Sequence, residues 1–124
     1  MTLLLDTHVV IWWWSKPTRL RPEVRKAIAT ADLVLVSSAS AWEVVVKQSL
    51  GKLTLPTAFA AMVKDAGFNE LPVRFHHAAA LASLPAHHRD PFDRMLIAQA
   101  VTDRASIVTH DPAFEPYDVE ILWT

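Results

Sequence analysis

The chain of 124 residues contains no cysteine, and this absence excludes disulfide bonds and metal sites built from thiolates. It also lacks an apolar stretch of the ~18 residues that a membrane-spanning helix needs. No basic segment precedes the first apolar run, so the sequence shows no secretion signal. These absences favour a protein of the cytoplasm, a compartment that keeps thiols reduced.

A strong excess of one charge is also missing, since the formal net charge is −1. This balance excludes a general nucleic-acid coat, which would be plainly basic. The charge is nevertheless uneven, because residues 1–62 carry seven Lys/Arg against four Asp/Glu, whereas residues 63–124 carry five against nine. A local basic cluster is therefore either a nucleic-acid patch or a solvated helix surface. Its members are Lys16, Arg19, Arg21, Arg25 and Lys26.

What the chain does contain is an alternation of short apolar runs with amphipathic segments. At 52% hydrophobic and 20% charged residues, it suits one folded domain over residues 1–124. Strands are predicted at 2–5, 33–37, 70–74, 106–109 and 119–122. Helices are predicted at 7–14, 22–30, 40–50, 56–66, 76–84 and 90–104. This order predicts an α/β fold with a mainly parallel sheet covered by helices on both faces.

Four acids lie next to the predicted strand ends or helix starts. Asp6 follows the first strand, Glu43 follows the second strand and a serine-rich turn, Asp93 opens the longest apolar helix, and Asp111 follows the fourth strand. Because ligand sites form beyond the carboxyl ends of parallel strands, we expect these acids to share one pocket. Two carboxylates ~4 Å apart repel by about 4 kcal/mol at an effective dielectric near 20. A hard cation such as Mg²⁺ would relieve that repulsion.

Helix capping is the competing interpretation of these polar residues. Ser40 and Glu43 fit a capping box, in which the serine caps the helix and the glutamate reaches back. Asp90 is a suitable N-cap, and Asp93 then falls in the first turn, where the helix dipole favours an anion. Asp6 is the hardest to explain by capping, since aspartate is depleted in strands and its burial must be offset. Three hydroxyl residues are candidates for the pocket or for turn and cap bonding: Thr7, Ser37 and Ser38.

The histidines and tryptophans carry weaker signals. No pair of imidazoles has zinc-ligand spacing on one helix face, and His87 and His88 are expected to be exposed in a loop. His8 and His110 each lie within two residues of a pocket acid, where they could contact substrate or pack behind the acids. Successive helical residues point ~100° apart, so the run Trp12–Trp14 cannot enter one core face. At least one of these tryptophans is expected to be exposed or to lie at an interface.

At these motifs the chain resembles the PIN-domain ribonucleases, and within them the VapC toxins of type II (VapBC) toxin–antitoxin pairs. The resemblance covers essentially the whole chain. It is carried by Leu3-Leu4-Leu5-Asp6-Thr7-His8, Ser37-Ser38-Ala39-Ser40-Ala41-Trp42-Glu43, Asp90-Pro91-Phe92-Asp93-Arg94-Met95-Leu96-Ile97-Ala98-Gln99-Ala100 and Val108-Thr109-His110-Asp111-Pro112-Ala113-Phe114. It implies a three-layer α/β/α sandwich, RNA cleavage dependent on Mg²⁺ or Mn²⁺, a VapB-type antitoxin and a homodimer.

The resemblance also assigns roles within the pocket. It implies that Asp6, Glu43, Asp93 and Asp111 are catalytic and hold the metal, with Asp6 and Asp93 as the most direct ligands. Asp90 is interpreted as a cap or as a group behind the ligands. Glu43 is a candidate to orient or deprotonate the attacking water. Two cationic residues are candidates to contact phosphate or to balance the acids, Lys47 and Arg94.

Two other functions fit some of the same residues. An aspartate phosphotransferase would use Asp6 as nucleophile, but that chemistry usually needs a second aspartate at position 8, which is histidine here, and a lysine near the phosphate. No lysine follows Lys64. A binding module without activity would use the acids only to hold a structural cation. Activity measured with and without Mg²⁺ separates this module from a nuclease.

Overall fold

The structure is a computed structural model that describes residues 1–87 and 89–124. Its five strands are Thr2–Leu5 (β1), Leu33–Ser37 (β2), Asn69–Leu71 (β3), Ser106–Thr109 (β4) and Ile121–Trp123 (β5). Its α-helices are Thr7–Ser15 (α1), Pro22–Thr30 (α2), Ser38–Ser49 (α3), Phe59–Asp65 (α4), Phe75–Ala80 (α5) and Pro91–Asp103 (α6). Short 3₁₀ turns lie at Pro17–Arg19, Leu81–Ser83 and Pro112–Phe114.

The strands form one sheet in the order β3-β2-β1-β4-β5, and every neighbouring pair is parallel. The chain first builds outward from β1 through β2 to β3, and then crosses back to add β4 and β5 on the other side. The strand order therefore reverses between β1 and β4, which is the position where sheets of this kind open a crevice. The predicted α/β fold with a parallel sheet is confirmed.

The leucines of β1 divide the core into two halves. Leu3 and Leu5 face a cluster that includes residues of α1, α2 and α4, whereas Leu4 faces a cluster built largely from α6 and β4. All three leucines are fully buried, and each burial contributes about 2 kcal/mol relative to exposure. Helices thus cover both faces of the sheet, which gives the expected three-layer α/β/α sandwich.

Several boundaries differ from the sequence prediction, and the start of α3 matters most. Ser40 was expected to cap this helix, but the cap is Ser37, whose hydroxyl accepts a hydrogen bond from the backbone N–H of Ala39 at 3.0 Å. Ser37 ends β2 in an extended conformation, so its side chain is already placed to cap and α3 begins immediately. The predicted capping box of Ser40 and Glu43 is therefore wrong, and Glu43 lies in the second turn of α3, where it has no capping role.

The remaining boundaries shift by a few residues. The helix expected over 56–66 is confined to α4, the strand expected over 70–74 to β3, and the strand expected over 119–122 is β5 at 121–123. The helix expected over 76–84 is α5 followed by a 3₁₀ turn. The predicted stops of α3 and α4 are correct, because Gly51 and Gly67 adopt φ of 69° and 75° just beyond the helix ends.

The three consecutive tryptophans are divided between different surroundings, as expected from helical geometry. Trp12 and Trp13 are partly buried against the core, and Trp13 packs on Phe68 with ring centroids 5.8 Å apart. Trp14 is 40% exposed. Among the described residues, no helix combines the length and apolar character needed to cross a membrane. His87 is exposed, whereas the prediction for His88 lies outside the described residues.

Candidate active site

Asp6 stands at the carboxyl end of β1, beside β4, where the strand order reverses. Asp6 is 4% exposed, and its backbone N–H donates a hydrogen bond to the carbonyl of Val108 on β4 at 2.9 Å. One carboxylate oxygen accepts the N–H of Thr7 at 2.7 Å, and the other accepts the hydroxyl of Thr109 at 2.7 Å. Burial raises the pKa of Asp6, although the hydrogen bonds from Thr109 and Thr7 and the nearby His8 oppose this rise.

Glu43 reaches the same place from α3 and is also 4% exposed. Its Oε1 accepts the hydroxyl of Thr7 at 2.7 Å, and its Oε2 pairs with the ammonium of Lys47 at 2.9 Å. The hydroxyl oxygen of Ser40 lies 2.9 Å from that of Thr7. A single threonine next to Asp6 therefore links the two buried carboxylates, and a lysine one helical turn away balances part of their charge.

Asp93 shows that the carboxylates converge. It lies in the first turn of α6 and is 8% exposed. Burial, followed by the neighbouring carboxylates of Asp6, Asp90, Glu43 and Asp111, raises the pKa of Asp93 to about 8. The other three acids predicted from the sequence therefore lie within electrostatic reach of Asp93, and we call the four the acid cluster: Asp6, Glu43, Asp93 and Asp111.

Asp111 enters the acid cluster from the segment that follows β4. Its Oδ1 accepts the N–H of Ala113 at 2.9 Å, so it also caps the 3₁₀ turn behind it. Its own N–H donates to the hydroxyl of Thr109 at 3.0 Å, and that hydroxyl donates to Asp6. The sequence analysis missed Thr109 because threonine is an ordinary strand residue. The available signal was a hydroxyl at the carboxyl end of a central strand, two residues before a cluster acid.

Other polar residues named from the sequence have structural contacts. Asp90 caps α6 by accepting hydrogen bonds from the N–H groups of Phe92 and Asp93 at 2.9 and 3.3 Å. The sequence predicted this capping role as one of two alternatives. Ser38 accepts the N–H of Val73 at 3.0 Å. Arg94 was a candidate for phosphate contact, but its guanidinium donates to the carbonyl of Pro85 at 3.0 Å and so holds the preceding loop.

Away from the acid cluster, His76, His77 and Asp103 have ligand atoms that lie within 4.8 Å of one another. Both nitrogens of the buried His77 are engaged. Its Nδ1 accepts the N–H of Arg74 at 3.0 Å, and its Nε2 lies 2.7 Å from a carboxylate oxygen of Asp103. Because Nδ1 accepts, the proton of the neutral ring is on Nε2 and is donated to Asp103. A metal at Nε2 would displace that proton, so this group is better explained as a link between α5 and α6.

The acid cluster fits a hard divalent cation. It offers only carboxylate oxygens, the donor type that Mg²⁺ and Mn²⁺ prefer, and it contains neither thiolate nor imidazole ligands. Burial and, after it, the neighbouring carboxylates raise the pKa of Asp93, and a bound cation would offset both effects. Lys47 has a raised pKa despite partial burial, because the hydrogen bond to Glu43 and the charges of Glu43, Asp90 and Asp93 hold its proton. Its ammonium balances part of the charge of Glu43.

Without metal, we expect the protein to lose stability as the pH rises from the ordinary aspartate pKa of 3.8 to about 8. The pKa of Asp93 is about 8 in the folded chain against an ordinary value of 3.8, so the folded state holds a proton that the unfolded state releases. Asp93→Asn should flatten this pH dependence and raise the free energy of unfolding at the higher pH by about 2 kcal/mol relative to wild type. Urea denaturation in EDTA measures both effects. A variant less stable than wild type at both pH values would make Asp93 a structural residue.

The chain is similar in sequence to one protein family and to a named ribonuclease. The PIN domain family matches residues 3–120. Ribonuclease VapC22 of Mycobacterium tuberculosis is 30% identical over 113 residues, which are 89% of this chain and 87% of that protein.

Solved structures give the same fold at lower identity. VapBC2 of Rickettsia felis, bound to a DNA fragment from its promoter, superposes with a TM-score of 0.74 at 12% identity and 98% coverage of both chains. DNA-bound VapBC of Salmonella typhimurium superposes with a TM-score of 0.73 at 17% identity, covering 98% of this chain and 97% of that one. With the family match over nearly the whole length, the chain belongs to the PIN domain family.

Proposed function

We propose that the protein is a metal-dependent endoribonuclease and the toxin of a VapBC-type pair, acting on RNA in the cytoplasm. The observation that carries this proposal is the acid cluster, in which the buried carboxylates of Asp6, Glu43 and Asp93 lie near the partly buried Asp111. The 30% identity to a ribonuclease named as a VapC protein supports the same activity. A structural cation alone would not explain why the acids lie at an open sheet edge.

In this proposal Asp6 and Asp93 hold Mg²⁺, or Mn²⁺ in its place, and Glu43 and Asp111 complete the set. The bound ion would polarise the phosphodiester and lower the pKa of a water molecule. The hydrogen bonds from Thr7 and Thr109 fix the Asp6 carboxylate before any ligand arrives. Such preorganisation avoids the reorganisation that a mobile carboxylate would need.

Glu43 is suited to act on the attacking water. Its carboxylate is held by the hydroxyl of Thr7 and the ammonium of Lys47, so its position is defined from two sides. A carboxylate at hydrogen-bonding distance from a water can orient it and accept its proton. Lys47 holds the Glu43 carboxylate by the ion pair at 2.9 Å and is a positioning residue in this scheme.

The proposal includes an antitoxin partner of the VapB type, as in the complexes that share this fold. A cluster of carboxylates attracts a basic side chain. The exposed Trp14 and a cleft of about 500 Å³ between α3, α4 and the start of β3 offer apolar surface to the rest of that partner. The cleft is lined mainly by Val36, Ala41, Phe59, Val63 and Phe68.

A second copy of the chain is the proposed occupant of a different apolar surface, which we call the Trp42 surface. Its members are Trp42, Val45 and Val73, which are 62%, 58% and 40% exposed. Trp42 packs edge-on against Phe92 at 4.8 Å, beside a cleft of about 380 Å³ with an almost wholly apolar lining. Aromatic residues of this kind are enriched where proteins associate.

Asp6→Asn and Asp93→Asn should each lower RNA cleavage by at least about a hundredfold while the protein stays folded, because each removes a metal-binding charge. Cleavage products should carry a 5′-phosphate and a 3′-hydroxyl, since a water rather than the 2′-hydroxyl attacks. Asp65→Asn, at an exposed position on α4, is the matched control and should cleave normally. Sequencing of RNA ends and gel assays with Mg²⁺ or EDTA measure these outcomes. Cleavage that persists in EDTA, or ends with a cyclic phosphate, would contradict the proposal.

Trp14→Ala should weaken antitoxin binding by about 2 kcal/mol, as expected for a buried aromatic anchor. It should leave RNA cleavage by the free protein unchanged. Val101→Ala, at another exposed apolar position on α6, serves as the control and should bind normally. Titration calorimetry with the antitoxin measures the affinities. Equal binding by wild type and Trp14→Ala would exclude this docking position.

Val73→Arg should convert the protein to a monomer at concentrations where wild type is a dimer, because it puts a charge into the Trp42 surface. Val101→Arg adds the same charge at a 50% exposed residue outside that surface and should leave the dimer intact. Size-exclusion chromatography with light scattering gives the mass of each. A wild-type protein that is monomeric at all accessible concentrations would contradict this assignment.

A further inference from the structure

Beside the acid cluster lies a group of planar side chains that the proposed chemistry does not use, and we call it the Trp12 cluster: His8, Trp12, Arg19 and His110. The ring centroids of Trp12 and His110 are 4.6 Å apart, and those of Trp12 and His8 are 6.0 Å apart. The two imidazoles lie edge to face at 5.9 Å. The guanidinium of Arg19 lies over the Trp12 ring at 4.7 Å.

The members of the Trp12 cluster differ in exposure. Trp12 is partly buried and packs against the core, whereas His8, His110 and Arg19 are exposed. The indole of Trp12 therefore packs on the core and also contacts the two imidazoles and the guanidinium. Three planar groups that could each turn into solvent are instead gathered around one ring. Their assembly is a preformed surface with π faces and one fixed positive charge.

The position of the Trp12 cluster follows from the sheet. His8 comes two residues after Asp6, at the end of β1, and His110 directly precedes Asp111, after β4. Since β1 and β4 are neighbours, the cluster borders the acid cluster on the side of this strand pair. A group bound on the Trp12 cluster would lie next to a group held at the acids.

Positive charge extends from the Trp12 cluster in one direction, along residues 16–26. This basic segment contains five Lys/Arg and a single acid, Glu23. Arg21 is engaged with Glu23 and with the carbonyl of Trp123. Within residues 1–87 and 89–124, no salt bridge engages Lys16, Arg19, Arg25 or Lys26. The basic segment is thus open to an anionic chain that leaves the acid cluster across the Trp12 cluster.

We propose that the Trp12 cluster binds an unpaired RNA base next to the phosphate that is cleaved, and that the basic segment follows the adjoining backbone. This inference rests on the proposed ribonuclease function and extends it to the recognition of substrate. Unpaired bases stack on aromatic rings and on guanidinium planes, and every base has such a face. The acids bring no attraction for a polyanion themselves, so a neighbouring cationic, planar surface supplies what they lack.

The same surface is a poor match for the antitoxin group drawn to the acids. A basic side chain of the antitoxin is attracted by the carboxylates but repelled by Arg19, so it would reach the acid cluster without lying on the Trp12 cluster. A phosphodiester chain is attracted by that segment and stacks its bases on the planar groups. Charge therefore separates the two partners: RNA on the Trp12 cluster, antitoxin on the apolar surface that includes Trp14.

The test measures RNA binding without cleavage, in an Asp93→Asn background, by fluorescence anisotropy. The probe is a labelled single-stranded RNA that carries a cleavage site mapped with the wild-type protein. His110→Ala and Arg19→Ala should each weaken binding by about tenfold, the size expected for the loss of one stacked base. Trp14→Ala, on the same helix as Trp12 but outside the cluster, should bind within about twofold of the parent. Trp12→Ala should match the other cluster variants.

Abasic nucleotides identify the base that stacks. In the parent protein, removal of one base beside the cleaved bond should weaken binding by about tenfold, and removal of distant bases should have little effect. In His110→Ala the same abasic substitution should cost little more, because the two changes remove one contact. A merely structural role for the cluster would not produce this coupling. If Trp12→Ala fails to fold, the exposed residues His110 and Arg19 decide the test.

Each contrary outcome has a distinct meaning. Cluster variants that bind RNA like the parent, or binding that ignores every abasic substitution, would overturn the inference and leave the ribonuclease function standing. Variants that keep RNA affinity but lose the antitoxin would make the cluster a protein-docking surface, which also overturns it. If the parent binds no RNA and the wild-type protein cleaves none with Mg²⁺, the proposed function fails and this inference fails with it.

Discussion

Mutual repulsion of buried carboxylates is the constraint on which this site depends. Two such charges ~4 Å apart cost about 4 kcal/mol at an effective dielectric near 20. A hydrogen bond to a charged group contributes about 1.5–3 kcal/mol, which can stabilise one buried carboxylate but not several close together. Two threonine hydroxyls donate such bonds here: Thr7 to Glu43 and Thr109 to Asp6. Burial and the remaining repulsion together raise the pKa of Asp93, and a cation bound among the acids would lower both costs.

Topology decides which acids meet. Because β1 lies between β2 and β4, the segments that follow these three strands leave the sheet at one edge. Asp6, Glu43 and Asp111 belong to those segments, and α6 adds Asp93 at its first turn. Short connections keep the acids close to the sheet. A change of strand order would separate them even if every helix and strand survived.

The sequence predicted this arrangement well at the level of strands and acids, and less well at the level of hydroxyl groups. Apolar runs and helix stops such as Gly51 are local signals, so the strand and helix order followed from them. Which serine caps α3 depended on the backbone conformation of Ser37 at the end of β2, and that conformation is set by the sheet. Thr109 escaped notice for the same reason, because its partner Asp6 is 103 residues away in the chain. Long-range polar contacts leave no periodic trace.

A site made only of carboxylates has a difficulty that its chemistry does not solve, because its substrate is itself an anion. A bound cation reverses the local charge only at the reacting phosphate, and the charge of the neighbouring nucleotides has to be met elsewhere. The chain places its positive charge in the first half, at residues 16–26, and joins it to the acid cluster through Arg19 and Trp12. In the proposed scheme, catalysis belongs to the acid cluster and substrate affinity to an adjoining surface of opposite charge. The slightly negative net charge of −1 hides this division, which is visible only when the charges are located on the fold.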